Sequence, residues 1–286
     1  MSKIVVVGSK GFIGRSIFDY LKTENFEVQG FSRAEIDLEI ENSVNNLADI
    51  INDGDVVVFA AAKAPVKSVT GFKQNLTILE NFMNAIKNKH ISYLLNISSD
   101  AVYPDIKDLI SEELLPSPLG LHGAMHMTRE LALNSSGLPV GHIRPTLVYG
   151  PGDPHNGYGP NRFVRQALKL GRITLIGKGE EVRDHIHISD VTSLAISMVK
   201  SRILGIVNAV TGTGLSFYEI ASTVASQIPE VEIEFERRIG SMPHNGRRLF
   251  ATQNINELLP TFNPIPFPVG IKEMIDFERK MLNARN

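Results

Sequence analysis

The segment from Lys3 to Arg15, Lys-Ile-Val-Val-Val-Gly-Ser-Lys-Gly-Phe-Ile-Gly-Arg, restricts the fold more than anything after it. A short apolar β-branched run stops at Gly8, and an amphipathic helical pattern starts at Phe12. Gly8, Gly11 and Gly14 mark the turn between them. Missing side chains let the backbone turn tightly and approach a ligand, and the helix N-terminus adds N–H donors and positive dipole. A glycine triplet alone can belong to an empty turn, but the strand–turn–helix setting points to the pyrophosphate of a dinucleotide. Gly8, Lys10, Gly11, Phe12, Ile13 and Gly14 are its expected contacts.

The rest of the first half repeats that alternation. Strands are expected at Lys3–Gly8, Glu27–Phe31, Val56–Ala60, Tyr93–Ser98 and Val140–Pro145. Helices are expected near Phe12–Lys22, Ser43–Ile51, Phe72–Lys87 and Gly123–Asn134. Short buried strands separated by helices long enough to cross a sheet predict a doubly wound parallel α/β sheet, the Rossmann fold. After Pro145 the texture changes. Gly150 to Pro160 is too rich in glycine and proline for one regular element and reads as a long loop at a strand's carboxyl end, where open α/β sheets bind ligands. Helices near Arg162–Leu170 and Val191–Lys200 and a strand around Val231–Phe235 complete the pattern. The expected division is 1–150 for dinucleotide binding and 151–286 for a smaller substrate-binding lobe, interleaved with elements that return to the first domain.

Composition excludes several classes. With 29 Lys and Arg against 31 Asp and Glu, the net charge of -2 lacks the basic excess of a nucleic-acid binder. No apolar run reaches the roughly 20 residues that span a bilayer, and the chain starts in a strand rather than an export signal, so no membrane partner and a cytoplasmic location are expected. The absence of cysteine removes disulfides and thiolate chemistry.

The Gly-x-x-Gly-x-x-Gly spacing resembles that of the extended short-chain dehydrogenase/reductase family, the NAD(P)-dependent nucleotide-sugar epimerases, dehydratases and reductases. Further segments carry the resemblance. Ile36-Asp37-Leu38 is similar to the family's adenine-contacting stretch, Val57 to Ala62 to the strand passing the adenosine, and Asn75 to its helix asparagine. Asn96 to Tyr103 resembles the strand that ends in the catalytic Ser or Thr, here Ser99. Arg144 to Pro151 resembles the strand beside the nicotinamide. Arg183 to Val191 resembles the segment whose Arg meets a nucleotide diphosphate. The match runs from residue 3 to about 191.

The resemblance implies cofactor contacts at Asp37, Leu38, Ala60, Ala61, Ala62 and Pro145. It also implies a cofactor contact at His126, which stands where the family's Lys holds the nicotinamide ribose, a nucleotide-diphosphate sugar held by Asn161 and Arg183, with Arg247 or Arg248 as further cations, and a homodimer paired through the helices near Phe72–Lys87 and Gly123–Asn134. Cofactor choice turns on the end of the second strand. No acid stands there to accept from the adenosine ribose, whereas Ser32 and Arg33 offer a hydroxyl and a guanidinium suited to a 2′-phosphate. NADP is expected, with NAD as the alternative; read plainly, Arg33 is a solvated surface charge.

One departure matters. The family's Tyr-x-x-x-Lys pair falls on Pro118 to Glu130, where His122 stands at the Tyr position and His126 at the Lys position. Three readings are open. The histidines, one helical turn apart, form an altered acid/base pair beside Ser99, since imidazole titrates near neutrality and needs no Lys to activate it. Alternatively the site is silent and the protein binds cofactor and nucleotide sugar without turnover. In the third reading the pair ligates a metal, but no nearby Glu completes a metalloprotease-like motif, so no metal is expected. Asp100, next to Ser99, is a candidate substrate contact and proton donor. His155, His185 and His187 are read as structural.

Overall fold

The computed structural model describes residues 2–284. Elements are numbered in chain order. The strands are β1 (Ile4–Val7), β2 (Val28–Phe31), β3 (Val56–Phe59), β4 (Tyr93–Ile97), β5 (Val140–Pro145), β6 (Leu147–Tyr149), β7 (Arg172–Ile176), β8 (Val182–His187), β9 (Gly205–Ala209), β10 (Gly214–Ser216), β11 (Glu232–Glu236) and β12 (Arg247–Arg248). The helices are α1 (Phe12–Thr23), α2 (Ser43–Ile50), α3 (Val69–Ile86), α4 (Leu121–Asn134), α5 (Pro160–Leu170), α6 (Ile188–Ser201), α7 (Phe217–Gln227), α8 (Gln253–Leu258) and α9 (Phe267–Asn283).

The chain divides into two compact units. The first runs from the N-terminus to Pro104 and includes Glu112–Pro145 and Val191–Ala209; the second holds Asp105–Ser111, Thr146–Asp190 and the chain from Val210 onward. Where composition places a cut after residue 150, the chain itself crosses after Pro145, returns at Val191 and leaves again at Val210.

In the first unit six strands pair in the order β2-β1-β3-β4-β5-β9, every neighbouring pair parallel. The order reverses at β1, so β1 and β3 leave in opposite directions along the sheet and open a crevice at their carboxyl ends. All four residues of β1 and of β3 are buried, as expected of strands covered on both faces. The expected strands and helices of this unit are found to within three residues. The sixth strand, β9, was not anticipated. Val5, Val7, Val57, Phe59, Phe82 and Leu94 belong to one buried core.

The second unit has β8 at its centre, antiparallel to β10 and parallel to both β12 and β6, with a separate parallel pair β7–β11. Its core joins Tyr149, Phe163, Phe217, Ile220, Ile271 and Met274. The stretch from Gly150 to Gly159 has no regular element, as its composition predicts. Among the described residues no helix is long and apolar enough to cross a membrane.

Candidate functional site

The N-terminal turn is built for backbone approach. Gly8 has φ +97°, and a Cβ there would come within 2.6 Å of the Ala61 nitrogen. A Cβ on Gly14 would collide with the Gly8 carbonyl and reach 3.1 Å from the Ala60 side chain. Gly8 and Ser9 donate to the Phe31 carbonyl (2.7 and 2.9 Å), and Ala60 donates to Val7 (2.9 Å), so three strand ends meet at one turn. Gly11 caps α1, no side chain bonds the cap, and the first turn holds no acid. The N–H groups at that end therefore face no carboxylate of the helix's own, which suits an incoming anion.

A cleft of about 530 Å³ opens at this turn. Of the residues expected to bind cofactor, Gly8, Lys10, Gly11, Ser32, Arg33, Asp37, Leu38, Ala60, Ala61 and Ala62 line it, together with Glu39 and Lys63. Phe12, Ile13 and Gly14 form the first turn of α1. Pro145 ends β5, paired with Ala209, and His126 lies on α4. None of these five lines the cleft. Asp37 accepts from the Glu39 nitrogen (3.0 Å), and Asn75 fixes the backbone of Lys63 at both its N–H and its carbonyl (2.9 and 3.0 Å). Lys63 in turn pairs with Glu39 (2.5 Å). The cradle that a Cβ would fill and the uncapped helix end both fit a dinucleotide.

The β2 end differs from the sequence expectation. No acid stands on the strand's last residues, but Glu35 folds back onto them. Its carboxylate accepts from the Ser32 nitrogen (2.9 Å) and the Ser32 hydroxyl, and it pairs with Lys10 (2.6 Å). These bonds hold the Glu35 carboxyl down at about 2, the Lys10 bond contributing most.

Ser99 ends the β4 segment and begins a single 3-10 turn, Asp100–Val102, its Oγ accepting from the Ala101 nitrogen (3.1 Å) and lying 3.5 Å from Asp100 Oδ1. Opposite stands α4. Gly123 allows the approach, because a Cβ there would fall on the Ala101 carbonyl. His122 and His126 share one face of α4, with ring centroids 4.8 Å apart and planes nearly perpendicular (83°). His126 is buried, and its Nδ1 has no hydrogen-bond partner. Burial, then the charges of Arg129 and His122, drive its pKa well below the usual imidazole value, so it is neutral at pH 7. Among the described residues no three His, Cys, Asp or Glu side chains converge as a metal site.

Two buried cations hold α4 in place, and motif reading assigned neither of these ties. Glu130 receives Ser98 Oγ (2.5 Å) and both Nε and Nη2 of Arg144 (2.9 and 2.5 Å). That carboxylate fastens the helix to the strand end before Ser99 and to β5. Arg129 donates to the carbonyls of Ala61 (2.9 Å) and Phe59 (3.1 Å) and lies 4.0 Å over the Phe59 ring, fastening the same helix to β3. The available signal was spacing: Glu130 and Arg129 follow His126 by four and three residues, which is one turn.

In the second unit, Asn161 is buried at the start of α5. Its amide accepts from the Gly150 nitrogen (3.2 Å) and donates to Asp153, bracing the long loop. Arg183 is buried as well and donates to the carbonyls of Val182 and Pro243 (2.9 and 2.8 Å) and to Glu181 (2.8 Å). Glu181 also pairs with Arg238 (2.5 Å), so one acid serves two guanidinium groups. Arg248 is bound by Asp105 (3.1 Å), and Arg247 is exposed. His155 bonds Asp153 (2.9 Å). His185 and His187 are buried, and burial pushes them down to about 3 and about 4.

Comparison with known proteins agrees with this geometry. The pattern of the NAD dependent epimerase/dehydratase family matches residues 4–208. A GDP-6-deoxy-D-talose 4-dehydrogenase from Aggregatibacter actinomycetemcomitans is 28% identical over 232 residues, covering 76% of this chain and 77% of that protein. A methionine adenosyltransferase 2 subunit beta from Rattus norvegicus is 23% identical over 304 residues, 96% of this chain and 87% of that one. The crystal structure of UDP-glucuronic acid 4-epimerase from Bacillus cereus with UDP-glucuronic acid and NAD superposes with a TM-score of 0.81 at 21% identity, covering 98% of this chain and 99% of the other. With the glycine cradle, the cleft at the sheet's reversal point and a family pattern spanning most of its length, the chain belongs to the NAD dependent epimerase/dehydratase family.

Proposed function

We propose that this protein is an NADP-dependent nucleotide-sugar oxidoreductase or epimerase in which His122 carries the proton. The observation that bears most of the weight is the seating of α4: Gly123 brings the helix onto the turn after Ser99, and Glu130 ties it to Ser98. A bound nicotinamide would supply the hydride acceptor and donor. The chain's own part is then to hold the sugar and move a proton at the reacting hydroxyl. Ser99 hydrogen-bonds that oxygen, and His122 accepts its proton without a cationic neighbour. Asp100 contacts the sugar. His126, held neutral, positions the nicotinamide ribose by hydrogen bonding rather than by charge.

Gly8, Gly11 and the start of α1 hold the pyrophosphate, and Asp37, Leu38 and Ala60–Ala62 the adenosine. Lys10, Ser32 and Arg33 favour a 2′-phosphate. Asn161, Arg183 and the uncapped start of α5 take the substrate diphosphate. The protein works in the cytoplasm as a homodimer paired through α3 and α4.

One finding favours a second reading, a cofactor- and sugar-binding homologue without turnover. A relative spanning nearly the whole chain is named as a subunit of methionine adenosyltransferase, and the permanent cation of the usual pair is absent here.

A single set of measurements separates the two. Purified protein is incubated with NADP or NAD and a panel of UDP-, dTDP-, GDP- and CDP-sugars, following product mass and melting temperature. At least one sugar is expected to be converted and to raise the melting temperature, as any ligand of the native state alone must. His122→Phe is expected to lower turnover by roughly 10²–10⁴-fold, the usual worth of general acid/base catalysis, with cofactor affinity retained. Wild-type turnover in that variant refutes His122 as the carrier. Activity only in His122→Tyr with His126→Lys, the wild type being inert, establishes the second reading. No stabilisation by any of the four sugar classes rejects the substrate class.

A further inference from the structure

The turn after β2 already holds an anion, and that anion is part of the chain. The Ser32 nitrogen (2.9 Å), the Ser32 hydroxyl and the Lys10 ammonium (2.6 Å) converge on the carboxylate of Glu35. Lys10, Ser32 and the exposed Arg33 line the cofactor cleft; Glu35 does not. These donors are of the kind that grips a phosphate monoester, because carboxylate and phosphate oxygens accept the same charge-assisted bonds. Both oxygens of Glu35 are engaged by the protein's own donors: Oε1 by Lys10, Oε2 by Ser32. An acid selective for an unphosphorylated ribose would turn its oxygens toward the ribose hydroxyls. Glu35 instead occupies the donors that a 2′-phosphate would need.

We propose that Glu35 is an internal competitor for the adenosine 2′-phosphate, holding Lys10 and Ser32 until a phosphate displaces it and so limiting the preference for NADP over NAD. The inference rests on the reading of Lys10, Ser32 and Arg33 as a 2′-phosphate site. The same bonds that assemble the cluster keep Glu35 ionised to about pH 2, so displacement, not titration, vacates the donors. The pair is exposed, with 67% and 43% of the Lys10 and Glu35 side-chain surfaces accessible, which makes the competition modest and reversible.

Calorimetric titration of NADP, NAD, adenosine 2′,5′-bisphosphate and 5′-AMP into wild type, Glu35→Gln, Glu35→Ala and Arg33→Ala tests this. Removing the carboxylate charge is expected to tighten NADP and the bisphosphate by roughly 2–5-fold while NAD and 5′-AMP stay within roughly 1.5-fold. An unchanged NADP/NAD ratio in both Glu35 variants overturns the proposal, as does a loss of NAD affinity, which would make Glu35 a ribose acceptor. A wild type that prefers NAD, with no change on Arg33→Ala, defeats the 2′-phosphate reading. If Glu35→Gln still raises the ratio in that case, Lys10 and Ser32 take the phosphate without Arg33, and only the role given to Arg33 fails. No binding of NADP or the bisphosphate by any variant defeats both.

Discussion

Gly123→Ala tests whether the candidate site depends on how closely α4 approaches the turn after Ser99. An ideal Cβ at Gly123 falls on the Ala101 carbonyl oxygen, 2.7 Å from its carbon and 2.8 Å from Pro118 Cβ. The obstacle is backbone within a 3-10 turn, so no rotamer change relieves it, and ordinary contact begins only at 3.4 Å. Either the helix or the turn must retreat by more than an ångström. Overpacking costs about 1–3 kcal/mol, an overlap with backbone this deep belongs at about 2–3 kcal/mol, and the gain in helix propensity from Gly to Ala returns about 1 kcal/mol. A net loss of about 1–2 kcal/mol should lower the melting temperature by roughly 2–8 °C for a chain of this size. Turnover should fall further, toward 10²-fold, since a displacement of about 1 Å at the reacting groups has that effect. NADP affinity should change little, because Gly123 does not line the cofactor cleft. Circular dichroism melts, calorimetric NADP titration and the sugar-conversion assay read the three quantities separately. Gly157→Ala is the control: nothing lies within 4 Å of its Cβ position, and it should stay within about 0.5 kcal/mol of wild type. If Gly123→Ala melts within a degree of wild type, the close approach does not carry the site.

Two further predictions concern buried charge. His126, His142, His185 and His187 are kept neutral by burial, the last three at about 4, 3 and 4, below the usual 6.5. The unfolded chain therefore binds more protons below pH 6.5, and each histidine removes about 1.4 kcal/mol of stability per pH unit as pH falls toward its folded value. Asp190, raised by burial from 3.8 to about 6, acts oppositely between those values and offsets about one histidine. Urea midpoints should drop steadily from pH 7 to pH 5, and a flat profile would contradict the burial of these rings. Glu130→Gln leaves Arg144 buried without its counter-charge and should cost about 3–5 kcal/mol in urea unfolding; a loss under about 1 kcal/mol would show that the clamp holds nothing.

What the sequence reveals depends on how local the cause is. β1, β3 and β4 were readable because strands buried on both faces need unbroken apolar runs, and Ile4–Val7 or Val56–Phe59 have little alternative. β9 was not, since Gly-Ile-Val-Asn-Ala is short and contains Asn208, whose burial becomes acceptable only when Tyr103 donates to it (2.9 Å). α7 and α9 carry signals that were there to be read: the Ser216/Glu219 capping box and a proline in the first turn after Pro266. Glu35 shows the opposite failing. Inspection of the β2 end finds no acid, yet Ser32-x-x-Glu35 has capping-box spacing and returns a carboxylate to that place. Arg183 reads as a ligand from its motif; its burial comes with an ion pair to Glu181, two residues back, just before β8 begins.

The histidine pair is more coherent than a simple loss of two motif residues. A phenol is a poor base near neutrality, with an ordinary pKa near 10, and needs a fixed cation close by to work there. At position 126 this chain places a neutral imidazole instead. The site is buried, Arg129 lies one turn along the helix, and both depress the charged form of His126. The nearest permanent charge on α4, Arg129, is committed to the Ala61 and Phe59 carbonyls, and burial lowers even its pKa to about 9. With the cation gone, a phenol at 122 would have no activating charge, whereas an imidazole requires none. If His122 carries the proton as proposed, an imidazole is the base that stays feasible beside a neutral 126, and Gly123 and Glu130 set the approach of α4 to the turn after Ser99.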